Sequence, residues 1–301
     1  MVDLSVNLGD IRLDNPVIPA SGTCGFGLEL AEWYDINMLG AISLKGTTRD
    51  PRFGNALPRI AECPSGLINS VGLENPGIDK LLSEKIPALR AIYHKPIIAN
   101  ISGFSVEDFA FCAEKAESCP DIDILEVNIS CPNVHGGGMA LGTDPEVAAA
   151  VTRAVKQVSS KPVFVKLTPT VTDIVTIARA CEAAGADGLT VINTLLGMRI
   201  DIRTRKPVVA AGTGGFSGPA IFPIAVRAVY QVAHACRIPV MGCGGISTAE
   251  EVIEMLMAGA AAVQVGSASL VNPLACKEII EQLPVVMERL GLKDLKQLKL
   301  N

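Results

Sequence analysis

The chain has 301 residues, with 26 lysines and arginines against 31 aspartates and glutamates and a formal net charge of −5, a balance that argues against a general binder of nucleic acid or anionic membrane. Hydrophobic residues make up 49% and charged residues 19%, which excludes global disorder. Mean hydropathy is +0.37, yet the apolar residues come in short blocks and none approaches the roughly 18 to 20 apolar residues of a spanning helix.

The opening residues Met1 to Asn7 lack the basic flank and apolar core of a signal peptide, so the cytosol is the expected compartment. An N-terminal hairpin is expected over Ser5 to Leu13, turning at Gly9-Asp10. Strands are then expected near Pro16–Ala20, Ala41–Lys45, Pro96–Ile101, Ile124–Ile129, Val163–Leu167, Gly188–Asn193, Pro239–Cys243 and Ala262–Gly266. Helical patterns lie between them, among them Asp144–Ser159, Thr172–Ala184, Gly218–Cys236, Thr248–Ala258 and Pro273–Leu290. Ser247-Thr248-Ala249-Glu250-Glu251 has an N-cap with acidic first-turn residues, and the joints Ala184–Gly188 and Ala258–Ala262 each carry a glycine C-cap leading into a buried strand. Strands alternating with helices give parallel βαβ units, and about eight strands close a (β/α)8 TIM barrel. The segment Gly46–Asn75, after the second strand, is too rich in Pro, Gly and Asn for a helix, and a long loop on a barrel is usually a lid or a binding loop. No linker divides the chain, so residues 1–301 are expected to form one domain.

Nine cysteines, at 24, 63, 112, 119, 131, 181, 236, 243 and 276, are scattered and odd in number; no CxxC occurs, and the three histidines, at 94, 135 and 234, are isolated. A disulfide framework, a zinc site or an iron–sulfur cluster held by this chain alone is therefore not expected.

In such barrels the active site lies at the C-terminal ends of the strands. Those ends read Ser21, Lys45, Asn100, Asn128, Lys166, Asn193-Thr194, Gly244-Gly245 and Gly266-Ser267. A strand-end asparagine taken singly is ordinary turn chemistry. Lys45 and Lys166 differ, because each follows an apolar run and a lysine at the mouth of a buried strand needs an anionic partner. A salt bridge to a neighbouring carboxylate would satisfy it, but acidic residues near the expected strand ends are few. The glycine pairs after the last two strands suit a phosphate site, since backbone N–H groups can approach the anion there. Gly212-Thr213-Gly214-Gly215-Phe216-Ser217 lacks the third glycine of a Rossmann fingerprint, and no Gly-Lys dipeptide provides a Walker A loop. A mononucleotide-type cofactor or a phosphorylated substrate remains.

Eight of the cysteines read as small buried hydrophobes. Cys131 stands apart: it follows the fourth strand beside Pro132, ahead of Gly136-Gly137-Gly138, in a segment able to open and close. An ordinary thiol, with a pKa of about 8.5, is only slightly ionised at neutral pH, yet serves as a base where solvent is excluded and the proton donor is well placed. His135 reads as a surface residue rather than its activator.

Four motifs in this order resemble the catalytic subunit of the dihydroorotate dehydrogenase family: Asn69-Ser70-Val71-Gly72-Leu73-Glu74-Asn75, Asn128-Ile129-Ser130-Cys131-Pro132-Asn133, Asn193-Thr194-Leu195-Leu196-Gly197-Met198 and Gly214-Gly215-Phe216-Ser217-Gly218-Pro219-Ala220. The resemblance covers essentially the whole chain. It implies FMN at the barrel mouth, its phosphate on Gly244, Gly245, Gly266 and Ser267, with Ser21, Lys45, Gly46, Asn100, Asn128, Lys166, Ile192 and Gly218 lining the rest. Lys166 would face the pyrimidine edge of the flavin, where a cation favours the anionic reduced ring. Dihydroorotate would be held by Lys45, Asn69, Ser70, Val71, Gly72, Leu73, Asn128, Asn193 and Thr194, a lysine and carboxamides suited to a carboxylate and two amide edges. Cys131 would take the C5 proton while hydride leaves C6 for flavin N5, giving orotate on the route to pyrimidine nucleotides.

Cysteine at the base position resembles the soluble class; the membrane-bound class carries serine there. Val134 to Asp144 and Gly197 to Asp201 resemble its NAD-linked branch, which implies a partner electron-transfer subunit with FAD and a [2Fe-2S] cluster in a heterotetramer of two catalytic and two electron-transfer subunits. A fumarate-linked homodimer and another FMN-barrel dihydropyrimidine oxidoreductase are the alternative enzymes. A dihydrouridine-reducing enzyme would need basic surface for RNA, which −5 opposes. A silent flavin-binding scaffold does not account for Cys131 with both lysines, nor a phosphosugar isomerase for Cys131 and the row of asparagines.

Overall fold

The structure, a computed structural model, describes residues 2–130, 141–295 and 298; Cys131 and His135 lie outside them. Eight parallel strands form one sheet: β1 (Val17–Pro19), β2 (Ile42–Ser43), β3 (Ile97–Ile101), β4 (Ile124–Asn128), β5 (Val163–Leu167), β6 (Gly188–Val191), β7 (Val240–Cys243) and β8 (Ala262–Val265). Neighbours pair in chain order from β2 to β8, and β8 pairs with β1. The seam between β1 and β2 has no ladder, but Gly40 N donates to Val17 O at 3.0 Å and draws the edges together. The eight expected strands are these, and the (β/α)8 barrel follows. Every residue of β3 and β5 is buried, because helices cover the outside while side chains fill the inside.

The expected helices appear as Pro145–Val158, Ile174–Ala183, Phe222–Ala235, Ala249–Met257 and Ala275–Arg289. Asp144, Asp173 and Thr248 cap three of them by accepting backbone N–H bonds, and Glu251 completes a capping box with Thr248. Two helical stretches not singled out from the sequence also pack on the sheet, Val106–Glu117 and a run over 78–90 that contains a π-type turn. No helix among the described residues is long and apolar enough to cross a membrane.

The N-terminal hairpin pairs Val6–Leu8 with Ile11–Leu13. Its Leu8 and Leu13 are buried against Ile18, Ala41, Ile98, Ile124, Phe164, Met241 and Ala262, near the strands' N-terminal ends, so the hairpin plugs the barrel floor. The loop after β2 holds a hairpin of its own, Ile60–Cys63 with Gly66–Asn69, which joins Thr213–Ser217 and Leu195–Met198 in a four-stranded antiparallel sheet.

Candidate active site

A cleft open to solvent lies at the C-terminal mouth of the barrel, lined by the strand ends and by the antiparallel sheet above them. Ser21, Lys45, Gly46, Asn128, Lys166, Ile192, Asn193, Thr194, Gly244, Gly245, Gly266 and Ser267 line it from the strand ends, and Asn69, Val71, Gly72 and Leu73 from the antiparallel sheet and its loop. Three expected residues do not line it. Asn100 is fully buried just behind Gly46, and Ser70 is buried with its backbone N–H on Arg59 O at 2.7 Å. Gly218 lines the adjoining pocket instead, its carbonyl packed against Gly245. Thr23, Leu67, Ile221 and Cys243, not singled out from the sequence, also stand on the wall; Cys243 ends a barrel strand and Leu67 belongs to the antiparallel sheet, and only the folded chain brings them together.

The loop that carries Val71 to Leu73 is well tied. Asn55 N donates to Val71 O at 3.0 Å, Asn55 Nδ2 to Ser70 O at 2.9 Å, and Arg59 pairs with Glu74 at 2.5 Å. Asn69 Nδ2 reaches Gly215 O at 3.4 Å across the sheet. On the opposite wall, Asn193 Nδ2 donates to Ser130 Oγ, Ser130 Oγ donates to Asn128 Oδ1 at 2.7 Å, and Asn193 Oδ1 accepts from Thr194 N at 2.8 Å. The carboxamides at the mouth are thus held by one another. Gly244 and Gly245 have φ of +131° and +77°, and Cβ atoms there would stand 2.8 Å from Ala225 Cβ and 2.8 Å from Gly218 O. Only glycine makes this turn, which brings backbone to the cavity wall without side chains in the way.

Beneath the cavity lies a buried polar cluster. Glu126 is fully buried on β4 and accepts from Asn100 Nδ2 at 2.6 Å, Gln264 Nε2 at 2.6 Å, Thr190 Oγ1 at 2.8 Å and Ser43 Oγ at 3.2 Å. Lys166 donates to Gln264 Oε1 at 2.8 Å and stands 3.8 Å from the Glu126 carboxylate. The expectation of few carboxylates near Lys166 is therefore corrected: its partner sits two residues before the end of the neighbouring strand, inside the barrel.

Six described cysteines are buried, while Cys63 and Cys119 are only partly so, which corrects the reading of all eight as buried. Burial raises the Cys243 thiol above its ordinary range, with Lys166 offsetting part of the effect and Glu126 adding to it. The cavity thiol is therefore kept protonated.

The model for dihydroorotate dehydrogenase matches residues 3–287. The dihydroorotate dehydrogenase B (NAD(+)) catalytic subunit of Geobacillus kaustophilus (strain HTA426) is 54% identical over 294 residues, 98% of this chain and 94% of that protein. The protein of the same name from Enterococcus faecalis (strain ATCC 47077 / OG1RF) is 52% identical over 295 residues, 98% and 95% of the two chains. The chain belongs to the dihydroorotate dehydrogenase family.

Dihydroorotate dehydrogenases of this kind use FMN, and the cavity suits that group. Gly244, Gly245, Gly266 and Ser267 bring backbone to its wall, where N–H groups can approach a phosphate. Lys166, 5% exposed, offers a cation at the wall. Asn100 Oδ1 is buried without a hydrogen-bond partner, and a Cβ on Gly46 would stand 2.7 Å from it, so the orphaned acceptor lies directly behind a lining glycine. Among the described residues no group of three His, Cys, Asp or Glu is arranged to hold a metal ion.

Proposed function

We propose that residues 1–301 act as one FMN-binding barrel domain that oxidises (S)-dihydroorotate to orotate in pyrimidine biosynthesis, and that a partner subunit carrying FAD and a [2Fe-2S] cluster passes the electrons to NAD. The observation that carries this reading is the one cavity wall where two lysines, three asparagines and the Gly244-Gly245 and Gly266-Ser267 turns meet. The relatives' names, each a catalytic subunit and NAD(+)-linked, support the partner and the acceptor.

When bound, FMN supplies the acceptor for the hydride that leaves C6. The backbone of Gly244, Gly245, Gly266 and Ser267 would hold its phosphate, with Ser21, Lys45, Gly46, Asn128, Lys166 and Ile192 around the remainder and Asn100 behind Gly46. Lys45, Asn69, Val71 to Leu73, Asn128, Asn193 and Thr194, which line the cavity, would orient the carboxylate and amide edges of dihydroorotate by hydrogen bonds. Cys131 takes the C5 proton as general base.

Anaerobic addition of dihydroorotate to the purified chain, followed by visible absorbance, tests the reading. Bleaching of bound flavin is the expected result. A yellow protein that stays oxidised overturns the substrate, and a colourless chain that takes up no FMN overturns the cofactor. Cys131→Ala is expected to slow the bleaching by about a hundredfold or more, the usual weight of a general base. In the unsubstituted protein the bleaching rate should rise with pH up to the thiol's effective pKa, because only the thiolate accepts the proton; a flat stopped-flow profile would remove the assignment.

A further inference from the structure

Gln264 lies between the cavity lysine and the buried carboxylate. Its Oε1 accepts from Lys166 at 2.8 Å and its Nε2 donates to Glu126 at 2.6 Å, and its side chain is fully buried on β8. The orientation of this amide is dictated by its neighbours. An ammonium only donates and a carboxylate only accepts, so the oxygen must face Lys166 and the nitrogen Glu126. Neither Gln264 nor Glu126 lines the cavity, whereas Lys166 does. Lys166 Nζ stands 3.8 Å from Glu126 Oε2, longer than its bond to Gln264. The remaining Glu126 bonds come from Ser43, Asn100 and Thr190 on three other strands, so the carboxylate is itself anchored.

We propose that Gln264 is a positioning residue that tethers Lys166 at the cavity wall and keeps its ammonium from closing onto Glu126, so that the cation's field acts on the cofactor. The proposal rests on the reading that FMN occupies this cavity. Glu126 is the counter-charge of the same device, and the two residues act on the flavin with opposite sign. Without the Gln264 acceptor, Lys166 closes on Glu126 and withdraws from the cavity, and the reduced flavin, which carries negative charge, loses stabilisation. Without the Glu126 charge, the lysine's field is uncompensated, and the reduced flavin gains it.

The test is the midpoint potential of bound FMN, measured by dye-linked photoreduction in the purified protein, in Gln264→Met and Glu126→Gln. Both substitutions conserve size. Gln264→Met is expected to shift the potential negative and slow flavin reduction by dihydroorotate on the order of tenfold, the worth of one hydrogen bond to a charged group. KM for dihydroorotate should stay within about twofold, because the hydrogen bonds of the Gln264 side chain go to Lys166, Glu126 and Met241 and to none of the proposed substrate residues. Glu126→Gln is expected to shift the potential positive. Shifts of equal sign, or an unchanged potential in either folded variant, overturn the proposal, since loosened packing alone gives no opposed pair. If Gln264→Met does not fold, Glu126→Gln decides: a potential that fails to rise overturns the device. Failure of the unsubstituted chain to take up FMN overturns the cofactor reading and this inference together, whereas normal uptake with unmoved potentials overturns this inference alone.

Discussion

Among the described residues Glu126 is the only carboxylate that is fully buried, and its position is tolerable because four donors and one ammonium surround it. Removing the carboxylate leaves those donors buried without an acceptor, at about 1 to 3 kcal/mol each. Against a total stability of about 5 to 15 kcal/mol, that is most of what holds a domain together. Glu126→Leu is therefore expected to lower the urea midpoint drastically or to fail to accumulate in soluble form. Thr190→Val, which removes one donor, should cost only about 1 kcal/mol, and a Glu126→Leu midpoint no lower than that of Thr190→Val would show that the cluster carries no such weight. Lys45, Lys166 and the asparagines were legible in the sequence because they end apolar runs. Glu126 and Gln264 were not, because a strand buried on both faces has no polar alternation to reveal which positions turn inward.

At the scale of elements, the barrel strands and most helices were legible from apolar blocks, caps and glycine stops, each a local signal. The antiparallel sheet over the mouth was not, because Leu195–Met198 and Thr213–Ser217 include Gly197, Gly214 and Gly215, which erase the strand pattern. Those glycines are needed for close approach: a Cβ on Gly215 would overlap Thr194 Oγ1 and stand 2.8 Å from Thr194 Cβ. Gly215→Ala is therefore expected to displace Thr194 and raise KM for dihydroorotate by about tenfold to a hundredfold, with FMN content retained; equal KM values in steady-state assays would dissociate Thr194 from substrate binding. A second element-scale link joins two helices. The hydroxyls of Ser159 and Ser160, each at 2.6 Å, hold the Glu117 carboxyl down from 4.5 to about 2. A carboxyl lowered in the folded state adds stability that is present above its ordinary value and fades as pH falls through the folded one. Thermal unfolding of Glu117→Gln should accordingly fall below that of the unsubstituted chain at neutral pH, and the gap should close as pH drops from 4.5 toward 2.

Across the whole molecule the two ends of the barrel have separate duties. The C-terminal mouth presents polar strand ends and glycine turns that line the cavity, whereas the N-terminal floor is closed by the apolar face of the hairpin. The hairpin was legible from its Gly9-Asp10 turn, but its role as a plug depends on where seven separate segments converge, which no local pattern encodes. Leu8 and Leu13, each 1% exposed, fill that floor. Replacing a fully buried leucine by alanine costs about 2 to 5 kcal/mol through lost transfer energy and the void left behind. Leu13→Ala is therefore expected to lower the unfolding free energy by that amount, read as a lower urea midpoint at unchanged slope. The folded fraction should still bind FMN with unchanged affinity, because the substitution leaves the cavity wall untouched at the other end of the strands. Fluorescence titration of FMN into apoprotein well below the unfolding transition separates the two effects, and a weakened affinity there would mean that the floor and the mouth are mechanically coupled through the strands.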